Sequence, residues 1–574
     1  MPRIETYKKK SLPKKYMILG IIASLLIVSS SLVFLLFPFP STEKVSYLTG
    51  KHQIIYNGKI HEEAIVSNDV IYLPLAFIQK EMDPSVTLDK ETNAIIITTK
   101  DKVIQMPSES LTSFVNGAGV NIEVPAMITK DNIAYVSYST IQKYYPFEVS
   151  VLQETEAIHV IQNGDTRILG EVIPSKNEHE HRIRKNPTLT SPYFDTVKSE
   201  EIVTIEKEEN EFYFVRKQNG IAGFIHKDNV KVQKTETVVI NREETPRFSP
   251  TVKWPINLTW EAVYTKNPDT NKLPALPGVN VVSPTWFSIK NEAGDIANLG
   301  SMEYMNWAKS KNIQVWGLFS NDFNPELTHN VLANFETRQA MIRQLLQYSE
   351  MYKLNGINVD FENVNLEDGK LLTQFMRELT PYMHEAGLTV SMDITFISTS
   401  ENWSMFYERD QLASIVDYLI VMAYDEHWGT SPVAGSVASF PWVEQNLKSL
   451  LEVVPHDQVI LGLPTYSRIW KEQDTEGGNI EVSSKAYSMN DIGAWIKEKQ
   501  VTPVHDEKSG QMYAVYQDEN EKAIYKVWIE DRDSLARRSQ MVHHYNLAGV
   551  ATWNRYFASD DAWSAIDESL KRRK

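Results

Sequence analysis

The chain has 574 residues, of which 42% are hydrophobic and 23% are charged, and its formal net charge is −16. This length exceeds what one hydrophobic core organises, so we expect about three or four folded modules. The acidic balance argues against a nucleic-acid partner, because such a partner requires a basic surface. The absence of cysteine excludes disulfides, thiolate metal sites and a cysteine nucleophile.

The N-terminus has the pattern of a membrane anchor. Residues 16–37 contain no charge, and about 20 apolar residues suffice for a helix to span a bilayer. The charged residues of the tail at residues 1–15 are mostly basic. This predicts that the tail stays in the cytoplasm and that the rest of the chain is extracytoplasmic. A cleaved signal peptide is the alternative, but the apolar run is longer than a typical signal core. We expect a single-pass transmembrane helix at the cell membrane, with the catalytic part facing the cell wall.

An internal repeat occupies residues 45–163. Residues 86–97 align with residues 149–160 at a constant offset of 63 (149 minus 86), and the same offset brings Tyr72 onto Tyr135. Each unit begins near an Asn-Gly pair, which favours a tight hairpin turn. The region resembles the copper amine oxidase N-terminal-like domain. Its histidines lack metal-ligand spacing, so we infer no copper chemistry and expect a spacer or wall-contacting module.

A second small β-rich module is predicted at residues 168–235, where short alternating segments are punctuated by glycine. The segment resembles bacterial SH3-type domains, which commonly bind wall peptides, and both peptide binding and a purely structural role stay open. The Glu-His-Glu-His run at residues 178–181 is expected to be solvated rather than to bind a metal. A charged, proline-containing linker follows at residues 241–250.

From residue 255 to the C-terminus, strand-like and helix-like segments alternate. Strands are predicted at residues 280–289, 295–300, 313–319, 356–362, 388–396, 417–424, 458–466 and 548–554, and helices at residues 337–353 and 370–387. This alternation predicts an α/β fold, a (β/α)8 TIM barrel. The long gap between strands 7 and 8, about residues 468–530, predicts an α+β insertion beside a substrate groove. Small β-rich domains and the N-terminal transmembrane helix precede the barrel.

The segment NGINVDFEN, residues 355–363, has an acidic face and an apolar face. On a strand, three apolar side chains oppose three polar ones, namely Ile357, Val359 and Phe361 against Asn358, Asp360 and Glu362. Because barrel strands carry functional residues at their C-terminal ends, the carboxyl groups are expected at the mouth. A rim carboxylic acid with a raised pKa can protonate a leaving glycosidic oxygen, and Asp360 supplies the negative neighbour for Glu362.

Four motifs in order resemble glycoside hydrolase family 18. The strand-four pattern of that family, D-G-x-D-x-D-x-E, is matched by residues 355–362, with asparagine at the first two aspartate positions. At the later strands, Met422-Ala-Tyr424-Asp425 matches the M-x-Y-D motif of the family. Residues 462–468, which include Tyr466 and Arg468, resemble its G-x-P-x-Y-G-R motif, and Trp553 stands where the family has a sugar-stacking tryptophan. The resemblance implies substrate-assisted catalysis, in which the N-acetyl group of the substrate attacks the anomeric carbon.

The resemblance also implies roles for individual residues. Glu362 is expected to be the general acid and then the base, while Asp360 orients the acetamide and Tyr424 hydrogen-bonds its carbonyl oxygen. Substrate binding is expected at Asp425, Trp553, Asn358, Met422, Tyr466, Arg468 and Trp286. For Trp286 and Asp393, which both stand at strand ends, groove lining and interior packing remain open alternatives. No cofactor and no metal are expected.

Two departures from the family pattern bear on function. The aspartate that the family has at Asn358 can share a proton with the next aspartate, which an amide cannot do, so we expect an altered pH profile. The S-x-G-G signature of chitinases is replaced by residues 320–323, and residues 421–444 resemble the spore-germination and peptidoglycan-hydrolase branch. We expect cleavage of β-1,4 bonds at N-acetylglucosamine in peptidoglycan. The alternatives are a chitinase acting on exogenous chitin and a wall-binding lectin or sensor.

Overall fold

The computed structural model of the chain describes residues 14–36, 39–241, 248–474 and 480–572. The chain divides into two compact units. The first comprises Met1–Pro84, Ser108–Leu111 and Ile122–Glu244, and the second comprises Ser85–Pro107, Thr112–Asn121 and Thr245–Lys574. The middle of the predicted repeat module, residues 45–163, is therefore divided between the two units.

Helix α1, Lys14–Leu36, is the first described element. Its side chains at residues 15–30 are exposed, and the side chains of residues 31–36 lie outside the described residues. Across the part of the chain that the structure describes, no helix is both long enough and apolar enough to cross a membrane. The predicted span at residues 16–37 extends past this part, and most of the basic tail, residues 1–13, also lies outside it.

The repeat forms two four-stranded sheets in the first unit, with strand orders β12-β13-β1-β2 and β10-β11-β4-β3. The elements are β1 Gln53–Tyr56, β2 Lys59–Glu63, β3 Ile65–Ser67, β4 Val70–Pro74, α2 Leu75–Glu81, β10 Met127–Lys130, β11 Ile133–Ser137, α3 Tyr138–Ile141, β12 Phe147–Val151 and β13 Ile158–Gln162. Each copy contains a strand followed directly by a helix, β4–α2 and β11–α3. Tyr72 and Tyr135 lie on these equivalent strands, which pair with each other in antiparallel orientation.

A seven-stranded sheet completes the first unit, in the order β16-β15-β19-β18-β17-β14-β20. Its strands are β14 Thr166–Val172, β15 Arg182–Arg184, β16 Tyr193–Thr196, β17 Ile202–Glu209, β18 Phe212–Arg216, β19 Ala222–His226 and β20 Val230–Thr237. Its core consists of valine and isoleucine side chains. A β-rich module is thus present where it was expected, while its likeness to SH3 domains stays a prediction. Most of the predicted linker, residues 242–247, lies outside the described residues.

A five-stranded antiparallel meander belongs to the second unit. Its strands are β5 Thr87–Asp89, β6 Ala94–Thr98, β7 Val103–Pro107, β8 Thr112–Val115 and β9 Ala118–Asn121. The β8–β9 turn is Asn116-Gly117, with φ of 46° and 77°, and the equivalent Asn57-Gly58 turn joins β1 to β2 with φ of 47° and 75°. Both Asn-Gly pairs therefore form the predicted hairpin turns, in which both residues need positive φ.

Eight parallel strands close into a barrel in the second unit. They are β21 Ile256–Glu261, β22 Val281–Pro284, β25 Gln314–Ser320, β26 Gly356–Asp360, β27 Thr389–Thr395, β28 Tyr418–Met422, β29 Val459–Pro464 and β35 Gly549–Trp553. The pairing of β21 with both β22 and β35, together with that of β22 with β25, completes the ring. The predicted (β/α)8 barrel is confirmed.

The first two predicted strands need correction. The segment 280–289 contains two strands, β22 and β23 Phe287–Ile289, and the segment 295–300 is β24 Ile296–Asn298, which pairs with β23 as an antiparallel hairpin beside the ring. The first barrel strand is instead β21, which the sequence analysis missed. Its sequence, INLTWE, alternates apolar and polar residues, so the signal of a strand was available, but no α-helix lies between it and β22.

Helices surround the barrel. They are α4 Met302–Ser310, α5 Pro325–Ala333, α6 Phe335–Tyr352, α7 Gly369–Glu385, α8 Arg409–Ile415, α9 Phe440–Leu450, α11 Arg532–Ser539, α12 Met541–Tyr545 and α13 Asp560–Lys571. The Asn334 side chain accepts a hydrogen bond from the Thr337 backbone N–H and so caps α6. Helix α7 ends just before Gly387, whose φ is 76°. The predicted helices at residues 337–353 and 370–387 are confirmed.

The insertion after β29 is an α+β lobe, as predicted. It consists of β30 Tyr466–Asp474, β31 Ile480–Ser488, α10 Met489–Lys499, β32 Val504–Asp506, β33 Gln511–Asp518 and β34 Ala523–Ile529. The strands form one antiparallel sheet in the order β31-β30-β34-β33-β32. Ser488 and Asp491 form a capping box at the start of α10, which satisfies two backbone N–H groups that the helix leaves free.

Candidate active site

Strand β26 carries the acidic face of NGINVDFEN into the barrel. Ile357, Val359 and Phe361 lie in the core between strands and helices, as predicted. Gly356 leaves no room for a side chain, since an added Cβ would lie 2.6 Å from the carbonyl oxygen of Thr389 on the next strand. This close approach brings β26 against β27, so that the inward side chains of the two strands meet.

Asn358 is fully buried and connects two residues of β27. Its Oδ1 accepts a hydrogen bond of 2.7 Å from Ser391 Oγ, and its Nδ2 donates one of 2.8 Å to Asp393 Oδ2. Both hydrogen bonds of the Asn358 amide go to residues of β27. Asn358 therefore supports Asp393 below the mouth, and its predicted contact with substrate stays a prediction.

Asn321 fixes the backbone of Glu362. Its Oδ1 accepts a hydrogen bond of 3.0 Å from the Glu362 backbone N–H, and its Nδ2 donates one of 2.7 Å to the Glu362 carbonyl oxygen. The same Nδ2 lies 2.9 Å from Thr328 Oγ1 on α5. The sequence analysis noted Asn321 only as part of the segment that replaces S-x-G-G, and its position directly after β25 was the available signal.

The two carboxyl groups at the end of β26 have pKa values above those of exposed carboxyl groups. Burial raises the pKa of Asp360 from 3.8 to about 7. Burial also raises the pKa of Glu362 well above its usual range, and the negative charges of Asp360 and Asp425 add to this effect. The raised pKa of Glu362 favours its protonated form, which is the form that a general acid requires.

A second cluster joins the ends of β28, β29 and β30. The Tyr466 hydroxyl donates a hydrogen bond of 2.7 Å to Asp425 Oδ1, and Arg468 Nη2 approaches the same oxygen at 3.3 Å. Asp425 has a φ of 58°, which turns the chain sharply after Tyr424. The pKa of Tyr424 is raised well above its usual range by burial and by nearby carboxylates. Met422, the last residue of β28, is partly buried beside this cluster.

The predicted tryptophans have different positions. Trp553 ends β35 with its side chain partly exposed, and its ring meets the ring of Trp260 edge to face at a centroid distance of 5.7 Å. Trp286 is only 1% exposed and lies in the core, where its Nε1–H donates a hydrogen bond of 2.7 Å to Asn267 Oδ1. Of the two alternatives left open for Trp286, groove lining and interior packing, this burial favours interior packing.

Exposed aromatic side chains follow four barrel strands, and the sequence analysis did not single them out. They are Phe323 after β25, Trp403 after β27, Trp428 after β28 and Tyr556 after β35, with exposures between 44% and 71%. The rings of Phe323 and Trp403 have centroids 6.2 Å apart. Aromatic faces pack against the apolar faces of sugars, so these loops suit an extended glycan. Their positions directly after predicted strands were the available signal.

Comparison with known proteins agrees with this site. Residues 263–558 match the glycosyl hydrolases family 18, and residues 54–160 match the copper amine oxidase N-terminal domain. The uncharacterized glycosylase YvbX of Bacillus subtilis is 27% identical over 304 residues, which cover 51% of this chain and 85% of that protein. A cortical fragment-lytic enzyme of Bacillus anthracis is 24% identical over 253 residues, which cover 43% of this chain and 57% of that enzyme.

A solved structure shows the same fold. The crystal structure of a chitinase from Chromobacterium violaceum matches with a TM-score of 0.50 and 22% identity, covering 56% of this chain and 100% of that chain. The family match spans just over half of the 574 residues and includes the carboxyl cluster at the barrel mouth. The chain belongs to the glycosyl hydrolases family 18 and is a glycoside hydrolase.

Proposed function

We propose that this chain is a membrane-anchored, extracytoplasmic hydrolase that cleaves β-1,4 bonds at N-acetylglucosamine in peptidoglycan. The observation that carries the proposal is the pair at the end of β26, in which Glu362 stands two residues after Asp360 and burial, with the charge of Asp360, raises the pKa of Glu362. A glycan hydrolase needs such an acid at the scissile oxygen, whereas a lectin has no need of a proton donor there.

In the proposed reaction, Glu362 donates its proton to the glycosidic oxygen as the bond to the anomeric carbon breaks. The acetamide carbonyl oxygen of the same sugar attacks the anomeric carbon from the opposite face and forms an oxazolinium ion. The leaving sugar departs as an alcohol. Water then attacks the anomeric carbon while the Glu362 carboxylate removes its proton, which opens the oxazolinium ring and restores the acid with overall retention of configuration.

Two neighbours are assigned to the acetamide. Asp360 accepts a hydrogen bond from the acetamide N–H and offsets the positive charge of the oxazolinium ion. The Tyr424 hydroxyl donates a hydrogen bond to the acetamide oxygen, which keeps that oxygen aligned with the anomeric carbon. Both contributions grow as charge develops in the transition state, so they lower the activation barrier more than they strengthen ground-state binding.

The choice of peptidoglycan rests on three observations. One relative is named a cortical fragment-lytic enzyme. An apolar run follows a basic tail at the N-terminus, a pattern typical of an anchored protein whose substrate lies just outside the cell. The seven-stranded sheet of residues 166–237 lies where the SH3-like module was predicted and is proposed to contact wall peptides. Chitin is the alternative substrate, favoured by the fold shared with a chitinase.

The test compares the full-length chain with two variants on purified peptidoglycan and on chitin oligomers. Glu362→Gln removes the acid, while Glu367→Gln, a matched control, changes an exposed glutamate of the same loop. New reducing ends are identified by mass. We expect the wild type to release peptidoglycan fragments whose new reducing ends are N-acetylglucosamine. Glu362→Gln should lower this release at least about 100-fold, and Glu367→Gln should leave it unchanged.

Other outcomes contradict parts of the proposal. Equal release by wild type and Glu362→Gln would overturn the catalytic assignment. Release of fragments from chitin alone would show that chitin and not peptidoglycan is the substrate, while the proposed mechanism would stand. Binding of glycan by the wild type without any release would favour the lectin alternative.

A further inference from the structure

Asp393 stands beside Asp360 on the neighbouring strand. The parallel register of β26 and β27 pairs Asn358 with Ser391 and Val359 with Met392, so Asp360 and Asp393 occupy the next rung. Adjacent strands lie about 4.8 Å apart, and residues on one rung point to the same side. Both carboxyl groups therefore enter the barrel interior at the same level.

Among the described residues, each member of this pair has one buried carboxyl oxygen without a hydrogen-bond partner. Asp393 Oδ2 accepts the hydrogen bond from Asn358 Nδ2. In the part of the chain that the structure describes, Oδ1 of Asp393 and Oδ1 of Asp360 are both buried without a hydrogen-bond partner. A buried polar oxygen without a partner is costly, and two adjacent buried carboxylates that are both ionised are more costly still.

We propose that Asp393 is a positioning residue that shares one proton with Asp360. The Asp393 Oδ1–H donates to Asp360 Oδ1, and when the proton moves to Asp360 the charge moves to Asp393. The pair carries one negative charge and one proton in either state. Asn358, which stands where the family has an aspartate, then holds the replacement acid in place from the side. The role of the pair in hydrolysis rests on the function proposed above.

The groups around Asp393 agree with a shared proton. Burial raises the pKa of Asp393 well above its usual range, the charges of Asp360 and Glu362 raise it further, and the hydrogen bond from Asn358 and the indole N–H of Trp260 on β21 oppose this. On the other packed elements, Tyr424 and Tyr407 face the carboxyl cluster, and their pKa values are raised by burial and, in addition, by these carboxylates.

The first test is kinetic and uses a pair of substitutions. Asp393→Asn keeps the size of the side chain and an acceptor for Asn358, but it cannot exchange a proton with Asp360. We expect kcat to fall about 10- to 100-fold while KM changes less than about twofold. In the double variant Asn358→Asp/Asp393→Asn, an aspartate at position 358 on β26 supplies the carboxyl group that position 393 has lost. Its kcat should therefore recover to within about threefold of wild type.

The pH profile separates this role from packing. The pair carries one negative charge in the wild type, and Asp393→Asn fixes that charge on Asp360, which raises the pKa of Glu362. The alkaline limb of kcat/KM should therefore move to higher pH in Asp393→Asn and return in the double variant. A kcat for Asp393→Asn within twofold of wild type, or a folded double variant no better than the single one, would overturn the proposal. If Asp393→Asn does not fold, the double variant decides.

A second measurement does not depend on the substrate. Infrared difference spectroscopy at pH 8 detects the C=O stretch of protonated carboxyl groups, and Glu362→Gln identifies the contribution of Glu362. Asp393→Asn should remove a separate part of this band, because Asp360 alone would be ionised at that pH. An unchanged band would refute the shared proton. If the wild type hydrolyses no glycan, the proposed function fails while this band still decides whether the proton is shared.

Discussion

Replacing Asn321 by alanine should reduce hydrolysis strongly, although Asn321 lies behind Glu362 and not in the groove. The side chain accepts from the Glu362 N–H at 3.0 Å and donates to the Glu362 carbonyl at 2.7 Å. Glu362 follows the last residue of β26 by two positions, so no ladder hydrogen bond of that strand fixes it. The Asn321 amide supplies this missing restraint, and alanine removes both hydrogen bonds.

The size of the effect follows from these two hydrogen bonds. Each contributes about 1 to 1.5 kcal/mol, which gives about 2 to 3 kcal/mol for the pair. If the whole of this energy holds Glu362 at the scissile oxygen, its loss lowers kcat/KM about 30- to 150-fold, since about 1.4 kcal/mol corresponds to a factor of ten. The free energy of unfolding should fall by a similar amount.

The assay measures kcat/KM on a soluble glycan and unfolding in urea for the same preparations. Thr328→Val is the matched control, because it removes the 2.9 Å contact of Asn321 with the Thr328 hydroxyl and the hydrogen bond of that hydroxyl to the Asn324 carbonyl oxygen, but leaves both hydrogen bonds to Glu362. The control should lose less than about threefold in kcat/KM, the effect of a single neutral hydrogen bond that remains partly compensated. A folded Asn321→Ala variant with kcat/KM within threefold of wild type would refute the reasoning.

Two further predictions concern stability. Burial raises the pKa of Asp360 to about 7, so its contribution to the free energy of unfolding is full below pH 4 and is lost as the pH rises through 7. Relative to wild type, the free energy of unfolding of Asp360→Asn should therefore rise by up to about 1.4 kcal/mol per pH unit in that interval, measured by urea unfolding. Parallel curves of unfolding free energy against pH for the two proteins would contradict this. Glu530 and Arg538 form a buried ion pair at 2.7 Å. Glu530→Leu should lower the free energy of unfolding by about 3 to 5 kcal/mol, because it leaves Arg538 charged and unpaired. Replacing both residues by methionine should lower it far less, and equal losses of unfolding free energy in the two variants would refute this account.

Local chemistry made much of the fold predictable. The Asn-Gly turns, the end of α7 at Gly387 and the alternation of NGINVDFEN depend on residues adjacent in the chain, and the structure shows each of them. Strand β21 was missed although its sequence, INLTWE, alternates apolar and polar residues, because no helix separates it from β22 and the pattern of alternating strands and helices begins only after it. The hairpin β23–β24 was mistaken for barrel sequence because an edge strand and a ring strand have the same local pattern.

The sequence by itself determined that Asp360 and Glu362 lie at the mouth of a barrel, since the period of a strand and the direction of a parallel sheet settle this. Only the tertiary structure decided which residues support them. Asn358 meets Asp393 across 35 residues, and Asn321 meets Glu362 across 41. Such contacts depend on the register between neighbouring strands and on loops that fold back over strand ends. No segment of the chain records that register, because it is fixed by the packing of all eight strands together.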